Sequence, residues 1–222
     1  MNDTSVTTPS VLQNGLILAS VAAVCTALVA LTFYATRDQI AANQQAYLEQ
    51  SLTPVLAGLS FDNSLPSSAV TIPAPHSLPG TEHAVVYRAF AQGKPVAALF
   101  AVTAPDGFSG PIRMLIGIDA NGTVTGARAI EHKETAGLGD QIEVNRSDWI
   151  LQFAGKSLVD PALADWTLRR DGGAFDQMSG ASVTSRAAVN AISQTLQYFA
   201  EHRAAIFAAA SDVEGERGGN DE

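Results

Sequence analysis

The chain has 222 residues, 46% of them hydrophobic, and a formal net charge of −9. This acidic balance, with no basic aromatic patch, argues against nucleic acid as a partner. One cysteine and four scattered histidines provide neither a disulfide framework nor a metal site of recognisable ligand spacing.

An apolar segment near the N-terminus predicts a transmembrane helix. No charged side chain lies between Thr4 and Thr36, and residues 15–34 are almost entirely apolar. About twenty residues at about 1.5 Å each span a hydrocarbon core of about 30 Å. A cleavable signal peptide is the alternative, but it would have Lys or Arg before the apolar run, where this chain has none. We therefore expect an N-terminal tail at 1–13 and one transmembrane helix at 14–36.

The next segment, 37–80, predicts a helical connector followed by a proline-rich linker. Apolar residues at helical spacing over 38–59 favour a helix that continues from the membrane, and Pro54 predicts a break near its end. The stretch 63–80 contains four prolines among serines and alanines, which predicts extended chain. His76 in this stretch is expected to be solvated.

Short apolar runs follow and predict an antiparallel meander of four strands. The runs lie at 84–90, 96–102, 112–118 and 124–130. Turn residues separate them, and Asn121-Gly122 is the clearest hairpin turn.

Helical patterns cover 140–153 and 185–207, while a short strand is expected at 166–169 before the glycines at 172 and 173. We expect helices to cover one face of the sheet. The chain is therefore predicted to have an α+β fold, with a domain at 81–210 and a disordered acidic tail at 211–222.

The segment 176–185 places several hydroxyl groups next to the last predicted helix. Ser179, Ser182 and Thr184 provide alcohols, and Gly180 and Ala181 let a ligand approach the backbone closely. The first N–H groups of a helix have no internal partner and lie at its electropositive end, which favours phosphate. N-capping alone is the alternative. A hydrolase serine is disfavoured because the chain has no Gly-x-Ser-x-Gly elbow.

These residues resemble the flavinylation motif of the FMN-binding domain in the RnfG family of Rnf-type complexes and in the related FMN-binding subunit of the sodium-translocating NADH:quinone reductase. In that motif an Asp, two variable residues, a small hydroxylated residue, Gly, Ala and Thr precede a helix, and the Thr carries FMN through a phosphoester. Asp176, Ser179, Gly180 and Ala181 match it. The acceptor position holds Ser182 instead of Thr, and Thr184 is the alternative acceptor.

Two further segments share the resemblance, which extends over residues 38–205. Residues 131–139 are similar to the family segment His-x-Glu-Thr-Pro-Gly-Leu-Gly, with Ala136 in place of Pro, and 107–110 resemble a Gly-Tyr-x-Gly turn that leads into the strand at 112–119. The resemblance implies FMN contacts at Glu134, Thr135, Gly137, Leu138, Gly139, Ser179, Gly180, Ala181 and Thr184. Because the Asp176 carboxylate would repel a phosphate, we expect Asp176 to be recognised by the flavin transferase or to cap the turn. Arg186 is a candidate partner of the phosphate, and neither His132 nor Lys133 is given a role.

The resemblance implies a membrane-anchored flavoprotein that belongs to an ion-translocating electron transport complex. Covalent FMN would relay electrons in ferredoxin:NAD-type redox chemistry coupled to ion transport, and no catalytic side chain is expected. The partners would be the other subunits of the complex and, during maturation, the flavin transferase. The chain would cross the bacterial cytoplasmic membrane once with its C-terminal domain in the periplasm, although Arg37 after the helix would favour the opposite orientation.

Two alternatives stay open at this point. One is the related FMN-binding subunit of a sodium-translocating NADH:quinone reductase. The other is an anchored extracytoplasmic binding module without covalent flavin.

Overall fold

The N-terminal part of the molecule is a single long helix. The computed structural model describes residues 11–56, 58–80 and 83–208. Helix α1 spans Val11–Leu52, and its segment Gln13–Phe33 is 21 residues long, wholly exposed and of mean hydropathy 2.5. At about 1.5 Å per residue this segment matches the thickness of a bilayer core.

The helix predicted to follow the membrane segment is continuous with it and ends earlier than expected. Helix α1 stops at Leu52, and a 3-10 turn at Thr53–Leu56 follows. Pro54 lies in that turn, where its missing N–H and its ring end the helical hydrogen-bond ladder. Residues 1–47 and 48–222 form two separate compact units. The predicted tails at 1–13 and 211–222 fall largely or wholly outside the described residues, and the predicted domain boundaries stay predictions.

The C-terminal unit is built on a five-stranded antiparallel sheet in the order β1-β2-β3-β4-β5. The strands are β1 Ala69–Pro73, β2 His83–Ala91, β3 Lys94–Ala104, β4 Ile112–Asp119 and β5 Val124–Glu131. The predicted meander over β2–β5 is confirmed. The segment of β1 was predicted to be extended linker because prolines lie before it and at its end. This prediction was wrong, since the segment pairs with β2 as an edge strand. An edge strand tolerates proline, since half of its N–H groups need no partner in the sheet.

Both faces of the sheet are covered, whereas one covered face was expected. Helix α2, Ser182–Ala208, packs its apolar stripe on the first face, where Phe100, Ile116, Ile192, Leu196 and Phe199 are buried in the larger core. A smaller core lies on the second face, where Leu52, Val55 and Leu56 pack against strands β2 to β4. Alternate residues of β3 face the two cores, as the two-residue period of a strand requires.

Two paired glycines allow the 3-10 turn at Thr53–Leu56 to lie close to the sheet. Gly117 of β4 and Gly126 of β5 are register partners. A Cβ at either position would lie 2.9 Å from the Val55 carbonyl oxygen, and the same oxygen accepts a hydrogen bond of 2.7 Å from the Thr125 hydroxyl. Because neither glycine has a side chain, the 3-10 turn at Thr53–Leu56 can contact strands β4 and β5 directly.

Two other predicted elements have a different structure. The helix expected at 140–153 is two 3-10 turns, Gly139–Ile142 and Asp148–Phe153. Extended Ser147 separates them, because its hydroxyl donates to the Gln141 carbonyl (2.7 Å) and accepts from the Trp149 N–H (3.2 Å). The strand expected at 166–169 is reduced to one bridge between Leu168 and Phe175.

His76 is not solvated in the way its surrounding sequence suggested. Both of its ring nitrogens are buried and make no hydrogen bond within the described part of the chain. The residue lines a cavity with Ile72, Pro73, Pro75, Ser77, Tyr198 and His202. Burial raises the pKa of Tyr198. The linker is thus packed against the C-terminal half of α2.

Candidate functional site

The segment after β5 folds into a tight turn that surrounds one carbonyl group. The Thr135 carbonyl accepts from the N–H groups of Leu138 (3.2 Å), Gly139 (3.0 Å) and Asp140 (3.3 Å). Gly137 has φ +78°, a value that favours glycine and makes the turn possible. His132 supports the turn, because its Nδ1 accepts from the Glu134 N–H (3.1 Å) and its Nε2 lies 2.9 Å from the Glu143 carboxylate.

Glu134 connects this turn to two other segments. Its side chain is buried, its Oε1 accepts from the Ser109 N–H at 3.0 Å, and its Oε2 accepts from the Thr184 hydroxyl at 2.5 Å. Glycines make room for the carboxylate, since a Cβ at Gly107 would lie 2.9 Å from Oε1 and a Cβ at Gly139 would lie 2.7 Å from Oε2. The three segments that carry the family resemblance therefore meet at one carboxylate.

Helix α2 begins inside the hydroxyl-rich segment, three residues earlier than predicted. The Ala181 carbonyl accepts the first helical bond, from the Ser185 N–H at 3.0 Å, and the buried Ser185 hydroxyl accepts from the Met178 N–H at 2.9 Å. None of Ser179, Ser182 and Thr184 caps the helix within the described structure. The backbone N–H groups of residues 182–184 likewise find no protein acceptor there, which leaves the electropositive helix end available to an anion.

A cleft of about 230 Å³ opens over this helix end. It is lined by Phe108, Glu134, Thr135, Leu138, Gly139, Gly180, Ala181, Ser182, Val183 and Thr184. Most of the residues singled out from the sequence are therefore brought together. Gly137 and Ser179 are exposed beside the cleft and do not line it. Gly180 has φ +75°, and a Cβ there would lie 2.9 Å from the Leu138 side chain, so this glycine lets the two loops approach.

The two candidate acceptor hydroxyls have different environments. Thr184 is 0% exposed, and its hydroxyl already donates to Glu134. Ser182 is partly exposed on the first turn of α2, and its Oγ accepts a hydrogen bond of 3.0 Å from Arg170 Nη1. Of the two, Ser182 is the partly exposed residue and lines the cleft, and its hydroxyl makes no buried hydrogen bond.

The charged residues near the motif form separate pairs. Arg186 was a candidate phosphate partner, but its Nη2 lies 2.7 Å from Asp171 Oδ2. Asp176 does not line the cleft. Its carboxylate lies 3.1 Å from Arg169 Nη1, and its backbone is held by Gln152 (2.8 Å) and by the Trp149 indole N–H (2.7 Å). Asp176 instead lines a neighbouring cavity with Gln152, Lys156, Asp160, Pro161, Arg169, Ala174 and Phe175.

Sequence reasoning missed two residues of the site. Phe108 lines the cleft with a side chain that is 70% exposed. It lies within the Gly-Phe-Ser-Gly turn, and an aromatic residue in such a turn was an available signal. Arg170 was missed because it precedes Ser182 by twelve residues, and only the reversal at Gly172 (φ +93°) and Gly173 brings it back.

The cleft suits a group with a phosphate at one end and an apolar ring system at the other. Unpaired backbone N–H groups and the Arg170 guanidinium lie at the start of α2, and these are phosphate-binding groups. Phe108, Leu138 and Val183 form an exposed apolar rim, each at least 43% exposed. FMN has both chemical features, so the residues fit it.

Comparison with known proteins agrees with this site. Residues 107–197 match the family described as the FMN-binding domain, and residues 1–55 match the RnfG N-terminal region. The chain also shares its fold with the crystal structure of Shewanella oneidensis NqrC, at a TM-score of 0.53 and 14% identity, over 76% of this chain and 100% of that one. Fold and site together define a protein with an apolar N-terminal helix and an FMN-binding domain.

Relatives that align over nearly their whole length show which family of FMN-binding proteins the chain belongs to. The G subunit of the ion-translocating oxidoreductase complex of Vibrio atlanticus is 42% identical over 92% of this chain and 97% of its own. The G subunits of Pseudoalteromonas atlantica and Shewanella oneidensis are 38% and 41% identical, over 90% and 91% of this chain and 93% and 96% of their own. The chain belongs to this family, the G subunits of ion-translocating oxidoreductase complexes. The family predicted from the three motifs is confirmed, in preference to the related quinone reductase subunit.

The unequal roles of the two hydroxyls can be tested by stability. We expect Thr184→Val to lower the free energy of unfolding by about 2 kcal/mol, because it removes a hydrogen bond to a buried carboxylate. Ser182→Ala should change it by less than about 0.5 kcal/mol, as a surface substitution does. Urea unfolding of the full chain in detergent measures both. Thr184→Ser, which keeps the hydroxyl, is the matched control, and equal losses for Val and Ser would contradict the assignment.

Proposed function

We propose that this chain is the electron-relaying flavin subunit of a membrane-bound, ion-translocating oxidoreductase complex. The observation that carries the proposal is the Ser182 hydroxyl, which lies on the first turn of α2, in the cleft and beside unpaired backbone N–H groups. Membership of the family and the FMN-binding domain match support the same function. Bound FMN would supply one- and two-electron transfer, and the protein would set its position, potential and solvent access.

The flavin is proposed to be covalently attached to Ser182 through a phosphoester. The Ser182 Oγ–P bond would form as the pyrophosphate bond of a flavin dinucleotide breaks, so that a nucleoside monophosphate leaves and the hydroxyl proton passes to a base. Thr184 is the less suitable acceptor, because its esterification would break the buried bond to Glu134 and place a phosphate in the core.

Attachment suits a carrier that works at a membrane surface. A covalent flavin cannot diffuse away, and the exposed rim of Phe108, Leu138 and Val183 would leave one side of the ring accessible to a redox partner. The partners are proposed to be the other subunits of the complex, in a ferredoxin:NAD-type redox reaction coupled to ion transport. No side chain is assigned a catalytic role.

Asp176 is proposed to be recognised by the flavin transferase rather than by the flavin. Its carboxylate is 63% exposed, lies outside the cleft and is held near Arg169, so it would be presented to a second protein without facing the phosphate. A carboxylate without donors that faced the phosphate would instead repel it.

The attachment site can be mapped by mass spectrometry of the full chain expressed with a flavin transferase. We expect an added mass of one FMN less one water, located on the peptide that contains Ser182. Ser182→Ala should abolish the label, and Ser182→Thr should retain it, since both alcohols can form the ester. A label on Thr184 would keep the function and move the site. No label, with a transferase active on a control substrate, would favour an anchored binding module without covalent flavin.

Recognition of Asp176 can be tested by the rate of flavin incorporation. We expect Asp176→Asn to reduce that rate about 10-fold, because a charge-assisted contact with the transferase is lost, while the melting temperature stays unchanged. Glu131→Gln is the matched control, since Glu131 is 65% exposed and also pairs with an arginine. Equal rates for the two variants would contradict a recognition role.

The C-terminal domain is proposed to lie in the periplasm, and cysteine labelling tests this orientation. The exposed Asp106 is changed to Cys, and intact cells are treated with a membrane-impermeant maleimide. We expect Asp106→Cys to react in intact cells, while the unmodified chain stays unlabelled because Cys25 lies within the apolar segment. Reaction only after lysis would place the domain in the cytoplasm.

A further inference from the structure

Arg170 is the one cationic side chain that contacts the proposed acceptor hydroxyl within the described structure. Its Nη1 donates to Ser182 Oγ at 3.0 Å. A group esterified to that oxygen would lie within reach of the same guanidinium. Arginine presents several donors in a planar fork that matches phosphate oxygens, so one side chain can bind both the free hydroxyl and the ester formed on it.

The local backbone holds Arg170 in this position. Residues Arg169–Asp171 form a 3-10 turn that ends at Gly172, whose φ of +93° reverses the chain. The Arg169 N–H then donates to the Phe175 carbonyl at 2.8 Å, which fixes the turn beside the flavin motif. A Cβ at Gly173 would lie 2.3 Å from the Thr167 carbonyl oxygen, so the reversal also requires this second glycine.

The neighbouring charges leave the Arg170 guanidinium available for a phosphate. Asp176 is paired with Arg169 at 3.1 Å, and Asp171 is paired with Arg186 at 2.7 Å. Arg170 itself makes a long ion pair, in which Asp171 Oδ1 lies 3.9 Å from its Nε, beyond hydrogen-bonding distance, while its Nη1 donates to Ser182. Arg169 and Arg186 are thus held by closer carboxylates, whereas the Nη1 of Arg170 is directed at the Ser182 hydroxyl.

We propose that Arg170 binds the phosphate of the flavin ester on Ser182 and positions the Ser182 hydroxyl before attachment. The proposal rests on the proposed covalent attachment at Ser182. Arg170 neutralises the single negative charge of the phosphodiester, and the N–H groups of residues 182–184 complete the anion site. Arg186, the candidate phosphate partner from the sequence, does not contact the phosphate in this proposal; it forms an ion pair with Asp171.

The experiment compares Arg170→Gln, Arg170→Lys and Arg113→Gln in the full chain with the flavin transferase. Arg113 is the matched control, because it is 58% exposed against 54% for Arg170 and makes one ion pair, of 2.8 Å with Glu131. The first readout is the initial rate of flavin incorporation at Ser182. The second is the phosphorus-31 resonance of the attached phosphodiester, recorded after prolonged incubation has loaded each variant.

We expect Arg170→Gln to slow incorporation roughly 10- to 100-fold, as loss of a charged hydrogen-bond donor predicts, and Arg170→Lys to recover part of the rate. The phosphorus resonance should move in Arg170→Gln and stay in place in Arg113→Gln. An unmoved resonance in Arg170→Gln overturns the proposal whatever the rate, since a slower rate alone would reflect docking of the transferase. Absence of label in the unmodified chain would instead refute the covalent attachment itself.

Discussion

The buried carboxylate of Glu134 is the contact on which the geometry of the site depends. It accepts from the Ser109 N–H and from the Thr184 hydroxyl, and so it joins the turn before β4, the turn after β5 and the first turn of α2. A buried carboxylate is costly unless its oxygens are satisfied. Because both oxygens have donors here, the three segments are held in one arrangement, and the cleft between them follows from it.

The contact with Glu134 gives the hydroxyl groups of the motif different environments. Thr184 and Ser185 are fully buried and hold the loop and the helix start together. Ser182, on the same turn, lines the cleft, and its hydroxyl accepts only the exposed hydrogen bond from Arg170. A helical turn places successive residues on different faces, so a run of hydroxylated residues can serve packing and ligand attachment at once.

The sheet and its last helix could be predicted because their patterns are local. Short apolar runs predict strands β2 to β5, and apolar residues at helical spacing predict α2. Strand β1 could not be predicted, since the proline-rich sequence around it conceals its pairing with β2. The segment 140–153 was misjudged because the Ser147 hydroxyl satisfies backbone groups that a helix would have used.

The site was predictable to the extent that its motifs are contiguous. The residues of 134–139 and 179–184 could be named from the sequence, and the structure brings most of them to one cleft. Phe108 reaches the cleft through the 107–110 turn, and Arg170 reaches the Ser182 hydroxyl through the reversal at Gly172. The glycines that permit these reversals can be recognised in the sequence. Which side chains the reversals bring to the site cannot be predicted from it.

The surroundings of Ser182 also explain why attachment would need a separate enzyme. A serine becomes a nucleophile when a neighbouring base accepts its proton. In the described structure its partner is Arg170, a permanently charged donor that cannot act as a base. The nearby carboxylates are engaged with arginines or with Thr184. None of the residues that the structure describes is placed to activate the Ser182 oxygen, so in the proposed attachment the base would come from the transferase.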